Sequence, residues 1–267
     1  MTDARVILGT VANVSASPVA LVVPCFNEEA RLAVGLLREA RLDRGRLDLV
    51  LVDDGSTDAT RSLLEQIRDH RPDSACVVAY DRNAGKAEAV RRGVLSALSR
   101  RPRAIGFWDA DLATPLQELP GFVDVLERRP DVDVVIGSRV KLMGRSIERR
   151  AWRHYVGRLF ATAASLTLDL PVYDTQCGAK LFRVTPTLEQ IFRQPFLATW
   201  AFDVEVLARF AALHPEGPAA AARAIYELPL GRWMDVRGSK LKPGDFARAA
   251  LDLARIRRAY PPRRSAG

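Results

Sequence analysis

Ala104-Ile105-Gly106-Phe107-Trp108-Asp109-Ala110-Asp111 is an apolar run that ends in two carboxylates separated by one residue. A run of this length and ending predicts a buried strand that delivers both acids to the open edge of a sheet. Ligands of open α/β sheets bind at that edge, and paired aspartate oxygens suit a hard cation such as Mg²⁺ or Mn²⁺ that carries a diphosphate. The alternative interpretation is an ordinary turn, because Asp is common after strands.

Strands and helices alternate along the first half of the chain. Each apolar run of strand length is followed by a polar loop and then by a segment whose apolar residues have helical spacing. This alternation predicts an α/β fold with a doubly wound, mostly parallel sheet. The predicted strands are 19–23, 48–52, 76–80, 104–108 and 133–136, and the predicted helices are 30–40, 59–69, 87–99 and 115–129.

The alternation is less regular after Gly137. We expect a loose N-terminal tail (1–18), one α/β domain (19–241) and a basic C-terminal helix and tail (242–267). The second half of the domain is predicted to contain a basic loop at 139–148, helices at 149–168 and 200–213, and strands at 178–184 and 224–228.

Composition favours a globular protein with an anionic partner. The 267 residues are 48% hydrophobic and 27% charged, which is enough apolar material for a full core. The net charge of +8 favours nucleic acid, phospholipid or a phosphorylated substrate, although a charge run is often only a solvated face. Three cysteines with no CxxC pair predict free thiols in a reducing compartment, and no run reaches the roughly 18 apolar residues that span a bilayer.

Polar side chains follow four successive predicted strands. Because the carboxyl ends of parallel strands meet at one edge, we expect these side chains to form a nucleotide site with carboxylates, a cation and a lysine. The patterns GxxxxGK[S/T] and GxGxxG are absent, which argues against P-loop ATP hydrolysis and against a dinucleotide oxidoreductase. The residues in question are Asn27, Glu28, Glu29, Asp53, Asp54, Asn83, Lys86, Asp109 and Asp111.

These motifs resemble those of the inverting GT-A glycosyltransferases of family 2. Later segments narrow the resemblance to the dolichyl-phosphate β-glucosyltransferase branch, with the dolichyl-phosphate mannose synthases as near relatives. The resemblance covers about 19–241 and implies a GT-A domain with a Rossmann-like nucleotide-binding half and an acceptor half. The matching segments are 24–29, 53–60, 83–86 and 109–111 for the family, and 174–182, 200–205 and 238–241 for the branch.

The resemblance also implies roles for individual residues. Asp109 and Asp111 would ligate the divalent cation, Mg²⁺ or Mn²⁺, and Asp203 would be the catalytic base, with a helix N-cap as its alternative role. The mannose synthases have a metal-binding Gln where this chain has Ala113, so water or substrate would fill that place. The expected donor-binding residues are Pro24, Phe26, Asn27, Glu28, Asp53, Asp54, Asn83, Lys86, Asp109, Ala110 and Asp111, and the expected acceptor- or phosphate-binding residues are Arg139, Arg145, Gln176, Lys180 and Lys240.

The expected reaction moves a hexose from a nucleotide sugar to a polyprenyl or dolichyl phosphate. UDP-glucose is the favoured donor and GDP-mannose the alternative. A phosphate monoester, with a second pKa of roughly 6, scarcely needs a general base, whereas a hydroxyl acceptor does. The alternatives are a hydroxyl acceptor on a glycan or metabolite, a sugar nucleotidyltransferase, and a nucleic-acid binder. Nucleic acid is the disfavoured partner, because carboxylates at the sheet edge would repel it.

The segment from Arg139 to Leu166 has the composition of a membrane-interface segment, with arginines, Trp152 and Tyr155 before an apolar stretch. The alternative is a helix packed on the sheet with its basic end in water. We expect a cytoplasmic protein, with peripheral attachment to the cytoplasmic face of a membrane as the second location that these residues allow. The sequence leaves the oligomeric state open.

Overall fold

The computed structural model describes residues 18–148, 151–234 and 244–261. Nine strands and nine α-helices lie within these ranges. The strands are β1 (Val19–Cys25), β2 (Leu47–Asp54), β3 (Ala75–Tyr80), β4 (Ala104–Trp108), β5 (Val134–Ser138), β6 (Ser146–Glu148), β7 (Ala179–Arg183), β8 (Ile225–Pro229) and β9 (Arg232–Met234). The helices are α1 (Val34–Arg38), α2 (Thr60–His70), α3 (Lys86–Leu98), α4 (Leu119–Arg128), α5 (Ala151–Leu168), α6 (Pro186–Arg193), α7 (Phe202–Leu213), α8 (Pro218–Arg223) and α9 (Gly244–Ala259).

Seven strands form the central sheet, in the order β3-β2-β1-β4-β7-β5-β8. Strand β1 lies in parallel between β2 and β4, with Val19 opposite both Leu47 and Ala104. Strand β7 is the exception, since it runs antiparallel to β4 and to β5. The predicted α/β class with a mostly parallel sheet is therefore confirmed.

Helices cover both faces of the sheet, which explains the continuous apolar strands of the sequence. The side chains from Val19 to Val23 are completely buried. Helix α3 approaches the sheet closely at Gly93, where a Cβ would stand 2.3 Å from Cγ1 of Val22. This contact fixes α3, and therefore Lys86 at its N-terminus, against the carboxyl ends of the strands.

The structure departs from the predicted elements most clearly at 139–148 and at α1. The predicted basic loop 139–148 contains β6, which pairs in parallel with β9 in a separate two-stranded sheet. Helix α1 is shorter than the predicted 30–40, because the carbonyl of Glu28 first closes a turn with the amides of Arg31 and Leu32. Local periodicity does not reveal strand pairing with a distant segment, so the sequence alone predicts a loop where β6 forms.

The terminal predictions fall partly outside the described residues. Of the predicted tail 1–18, only Pro18 is among the described residues. The ranges 235–243, which include Lys240, and 262–267 also lie outside the described residues. The predicted basic C-terminal helix corresponds to α9. Among the described helices, none combines the length and apolar character needed to cross a bilayer.

Candidate active site

A cleft of about 360 Å³ opens at the carboxyl edge of the sheet, where β1, β2 and β4 end and α3 begins. The predicted donor-binding residues all line it except Asn27 and Asp53. Three further residues, Cys25, Gly85 and Ala89, contribute to its walls. The lining residues are Pro24, Cys25, Phe26, Glu28, Asp54, Asn83, Gly85, Lys86, Ala89, Asp109, Ala110 and Asp111.

Asn27 and Asp53 hold the first two loops together behind the cleft. Asn27 has a positive φ of 51°, and its Oδ1 accepts a hydrogen bond from the amide of Thr57 at 2.9 Å. Its own amide donates to Oγ of Ser56, and the amide of Ser56 donates to Oδ1 of Asp53 at 3.0 Å. In this structure both residues support the loops that carry the other predicted donor-binding residues.

Asp54 organises the loop that leads into α3. Its carboxylate accepts hydrogen bonds from the amides of Ala84 and Gly85, at 2.9 and 2.8 Å, and from Nδ2 of Asn83 at 3.0 Å. Burial raises the pKa of the Asp54 carboxyl, and these amide donors oppose that effect. The buried acid therefore sets the position of Asn83 and of the first residue of α3, Lys86.

The two carboxylates of the Asp109-Ala110-Asp111 motif face different partners. Asp109 Oδ1 lies 2.5 Å from Nζ of Lys86, while Asp111 Oδ1 accepts a hydrogen bond from the amide of Ala113 at 3.1 Å. Burial, and then the charge of Asp109, raise the pKa of the Asp111 carboxyl. Burial lowers the pKa of Lys86, but nearby carboxylates, Asp109 foremost, raise it by more. The cleft is therefore an anionic site that already attracts a cation.

The donor atoms at this motif fit Mg²⁺ or Mn²⁺. Both ions prefer oxygen ligands, and the Lys86 ammonium beside Asp109 shows that a positive charge is accommodated there. In the ranges that the structure describes, no group of three or more His, Cys, Asp or Glu side chains could hold a metal on its own. A cation bound by Asp109 and Asp111 would therefore take its remaining ligands from a diphosphate and from water.

Arg139 lies at the end of β5 and is held by Asp174. Its guanidinium donates two hydrogen bonds of 2.7 Å to the two oxygens of that carboxylate and stacks at 5.4 Å from the ring centroid of Trp233. Burial lowers the pKa of Arg139, but the charge and hydrogen bonds of Asp174, together with other nearby negative charges, raise it by more. Glu227 supports the arrangement by accepting the amides of Tyr173 and Asp174, both at 2.8 Å.

The other predicted acceptor-side residues are scattered. Arg145 is exposed, Gln176 is half-buried, and Lys240 lies outside the described residues. Lys180 is completely buried, and its Nζ donates to the carbonyl of Cys177 at 2.7 Å and to Oδ1 of Asp203 at 2.5 Å. In this structure Lys180 is therefore the buried counter-ion of Asp203 and does not reach the surface of the cleft as a phosphate ligand would.

Asp203 lies in the first turn of α7, beneath the cleft. The residue at the N-cap position is Ala201, so the alternative role of Asp203 as a helix cap is wrong. The short side chain of Asp203 instead points to Lys180 because β7, which carries Lys180, pairs with β4 directly below the cleft.

Besides the additional residues of the cleft wall, sequence reasoning missed three residues that position the site from outside it. Gly178 accepts the amide of Asp109 on its carbonyl at 3.1 Å, and Asp174 holds Arg139. Asp252 of α9 accepts the amides of Thr199, Trp200 and Ala201, at 2.9 to 3.2 Å, just before α7. Gly178 and Asp174 stand in the 174–182 segment, whereas nothing local marks Asp252.

The sequence of this chain is similar to those of known glycosyltransferases. A family model described as "Glycosyl transferase family 2" matches residues 20–189. One curated relative is the dolichyl-phosphate beta-glucosyltransferase of Dictyostelium discoideum, which is 30% identical over 90% of this chain and 74% of that protein. Another is the dolichyl-phosphate beta-glucosyltransferase of Drosophila melanogaster, which is 32% identical over 84% of this chain and 69% of that protein.

Solved structures show the same fold. Glucosyl-3-phosphoglycerate synthase from Mycobacterium tuberculosis, in complex with Mn²⁺, uridine-diphosphate and glucosyl-3-phosphoglycerate, superposes with a TM-score of 0.64 and 21% identity. The match covers 99% of this chain and 88% of that one, and it supports the GT-A fold. The family model and the curated relatives go further: this chain is a glycosyltransferase that belongs to family 2.

Proposed function

We propose that this chain transfers glucose, with inversion, from UDP-glucose to a polyprenyl or dolichyl phosphate, using Mg²⁺ or Mn²⁺. The sugar and the acceptor class follow the dolichyl-phosphate beta-glucosyltransferases that it resembles over most of its length. The observation that favours a phosphate acceptor is the ion pair between Asp203 and Lys180, both buried. The pair turns Asp203 towards a buried ammonium and away from the lining of the cleft, where a general base would have to meet a hydroxyl acceptor. A phosphate nucleophile needs no general base, because it is largely a dianion at neutral pH.

The donor half of the proposed reaction depends on charge neutralisation. Asp109 and Asp111 would hold the metal, which supplies Lewis-acid stabilisation of the leaving diphosphate when bound. Lys86, at the N-terminus of α3, adds a second positive charge at the same cleft. Pro24 and Phe26 form the apolar wall suited to the nucleotide base.

The acceptor half is assigned to the region around Arg139. The charge of Asp109 contributes to the raised pKa of Arg139, so the guanidinium lies within electrostatic reach of the metal-binding motif. Asp174 presents the planar guanidinium in a fixed orientation, and such a group recognises phosphate oxygens in pairs. An acceptor phosphate bound by Arg139 would therefore lie close to the cleft in which the donor is proposed to bind.

A membrane surface is the proposed source of the acceptor. The loop that follows Arg139 exposes Leu142 and Met143, the latter fully, between the basic residues Lys141 and Arg145. Apolar side chains flanked by positive charge suit the headgroup region of an anionic bilayer. Peripheral attachment of this loop to a cytoplasmic membrane face would place lipid phosphates near Arg139.

The test is transfer of labelled sugar from a panel of nucleotide sugars, in detergent. The acceptors are a short-chain polyprenyl phosphate and, as the hydroxyl arm, 3-phosphoglycerate, each with Mg²⁺, Mn²⁺ or EDTA. We expect a lipid-linked β-glucoside from UDP-glucose that disappears with EDTA and in Asp109→Asn. Transfer to the hydroxyl acceptor without lipid product would contradict the proposal while leaving the family assignment intact.

A further inference from the structure

Four side chains of alternating charge lead from the cleft into the core. At the cleft, Nζ of Lys86 lies 2.5 Å from Oδ1 of Asp109. Below it, Nζ of Lys180 lies 2.5 Å from Oδ1 of Asp203. The two pairs are close enough to interact, because Lys86 Nζ lies 5.8 Å from the ring centroid of Phe202, the residue before Asp203, and the charge of Asp203 contributes to the raised pKa of Lys86.

The two pairs differ in their freedom to exchange partners. The side chains of Lys86 and Asp109 are 41% and 35% exposed, so solvent and ligands reach them. Those of Lys180 and Asp203 are 0% and 6% exposed, and Lys180 is also bound to the carbonyl of Cys177. A ligand can therefore separate the upper pair, while the lower pair remains a fixed part of the cleft floor.

We propose that Lys86 occupies the cation position on Asp109 until the divalent metal that accompanies the donor displaces it. Asp203 is then the carboxylate that keeps the displaced ammonium beside the diphosphate, and Lys180 fixes Asp203 in place. Asp203 and Lys180 are positioning residues that act through Lys86. The inference rests on the proposed function in one respect, which is that the donor is a metal-bound nucleotide sugar.

This arrangement couples metal binding to nucleotide binding. A metal that arrives alone must compete with the Lys86 ammonium for Asp109, and it then lies beside a second positive charge. A diphosphate supplies negative charge for both cations, so the cost of displacing Lys86 falls when the nucleotide is present. The metal should therefore bind weakly alone and tightly together with UDP.

The first experiment measures Mn²⁺ binding to the whole chain without acceptor, by electron paramagnetic resonance of free Mn²⁺ and by calorimetry, with and without UDP. We expect Lys86→Met to bind Mn²⁺ alone roughly five- to tenfold more tightly than the wild type, as loss of a competing, partly exposed ion pair implies. UDP should then raise Mn²⁺ affinity by a smaller factor in Lys86→Met than in the wild type. Arg128→Met, which removes the cation of an exposed ion pair with Asp124 on α4, is the matched control and should behave as the wild type.

The result that overturns the proposal is a Lys86→Met protein whose Mn²⁺ affinity does not exceed that of the wild type, including one that binds no Mn²⁺. Asp109→Asn in the Lys86→Met background should abolish the gain, since the metal then loses the carboxylate that Lys86 had occupied. Retention of the full gain in that double variant would equally contradict the competition.

The second experiment tests Asp203 with a double-mutant cycle. Asp203→Asn keeps an oxygen that accepts from Lys180 but leaves this buried ammonium without its counter-ion, so circular dichroism must first confirm the wild-type fold. Introduced into the wild-type chain, this substitution should weaken binding of Mn²⁺ in the presence of UDP about fivefold. Introduced into Lys86→Met, it should weaken that binding less than about twofold, because the effects of substitutions at residues that act through one another are not additive. Equal losses in both backgrounds would contradict the positioning role. Because no acceptor is present, a chain that binds as described but forms no lipid product contradicts the proposed function and leaves this inference standing.

Discussion

Gly178 lies directly against the carboxylate of Asp109. A Cβ on Gly178 would stand 1.9 Å from Oδ2 and 2.2 Å from Cγ of Asp109, closer than any side-chain atom can approach. The carbonyl of Gly178 also accepts the amide of Asp109. The loop before the antiparallel strand β7 therefore sets the position of the first carboxylate of the motif at the end of β4.

Gly178→Ala should displace the Asp109 carboxylate and leave the fold largely intact, because the crowded atoms belong to a partly exposed side chain. We expect metal-dependent transfer and Mn²⁺ affinity to fall at least about tenfold, the effect of a misplaced catalytic group. Gly35→Ala is the matched control, since no atom lies within 4 Å of the added methyl group and the position is helical. Wild-type activity in Gly178→Ala would show that Asp109 adapts to the methyl group.

Asp111→Asn should stabilise the metal-free protein. Burial and the charge of Asp109 raise the pKa of Asp111 above its ordinary value of 3.8. A carboxyl whose pKa is higher in the folded state destabilises that state as the pH rises from the unfolded value through the folded one. In EDTA, the melting temperature of Asp111→Asn should therefore exceed that of the wild type at neutral pH, by a difference that shrinks as the pH falls towards 4.

The metal supplies the control for that prediction. Mn²⁺ with UDP should raise the melting temperature of the wild type and leave Asp111→Asn nearly unchanged. Asp131→Asn serves as the comparison at a distant, exposed carboxyl, whose pairing with Arg129 lowers its pKa. A stabilising effect of Asp131→Asn as large as that of Asp111→Asn would point to general charge reduction.

The effect of Asp203→Asn on kcat distinguishes two roles of Asp203, that of a general base and that of a counter-ion to Lys180. A base that is lost costs about 10² to 10⁴ in kcat, whereas a phosphate acceptor needs no proton removed. At saturating Mn²⁺ and UDP-glucose we therefore expect kcat with polyprenyl phosphate to fall less than about tenfold. The measurement is steady-state transfer as a function of metal and of donor. A loss of about 10³ in kcat with unchanged dependence on metal would make Asp203 the base.

The exposed tip of the 139–145 loop should be required for binding to lipid. Met143→Ser combined with Leu142→Ser removes two exposed apolar side chains between basic residues. We expect the double variant to lose most of its sedimentation with anionic vesicles at low salt, because apolar insertion and charge attraction act together. Leu36→Ser in α1, another strongly exposed leucine, is the control and should sediment as the wild type does. Unchanged sedimentation of the double variant would move the proposed contact away from this loop.

That most of the candidate donor residues line one cleft follows from the sequence, because the determinants of this arrangement are local. Each strand runs into its polar loop within a few residues, and the sharing of one edge by parallel strands follows from topology alone. Asp54, Lys86 and Asp109 accordingly line the cleft that the alternation of strands and helices implies. Asn27 and Asp53 lie behind it, because their side chains cap turns of neighbouring loops, which periodicity does not reveal.

The acceptor half depends on contacts between distant segments. Lys180 was expected at a phosphate, yet the antiparallel pairing of β7 with β4 places it in the core beside Asp203. Asp252 holds the amides before α7 from a helix some fifty residues further along the chain.

The alternation of strands and helices, the apolar pattern and the acidic motif are local features of the sequence. They are sufficient to predict the α/β class, the edge of the sheet that holds the candidate nucleotide site, and the family resemblance. The charge partners of Asp203 and Asp109 cannot be predicted in this way. The partner of Asp203, an acceptor hydroxyl or the ammonium of Lys180, depends on which remote segment packs against it. The same is true of the space that Gly178 leaves for the carboxylate of Asp109. The chain settles that only when it folds, because burying a charge is tolerated only where an opposite charge or a hydrogen-bond donor meets it.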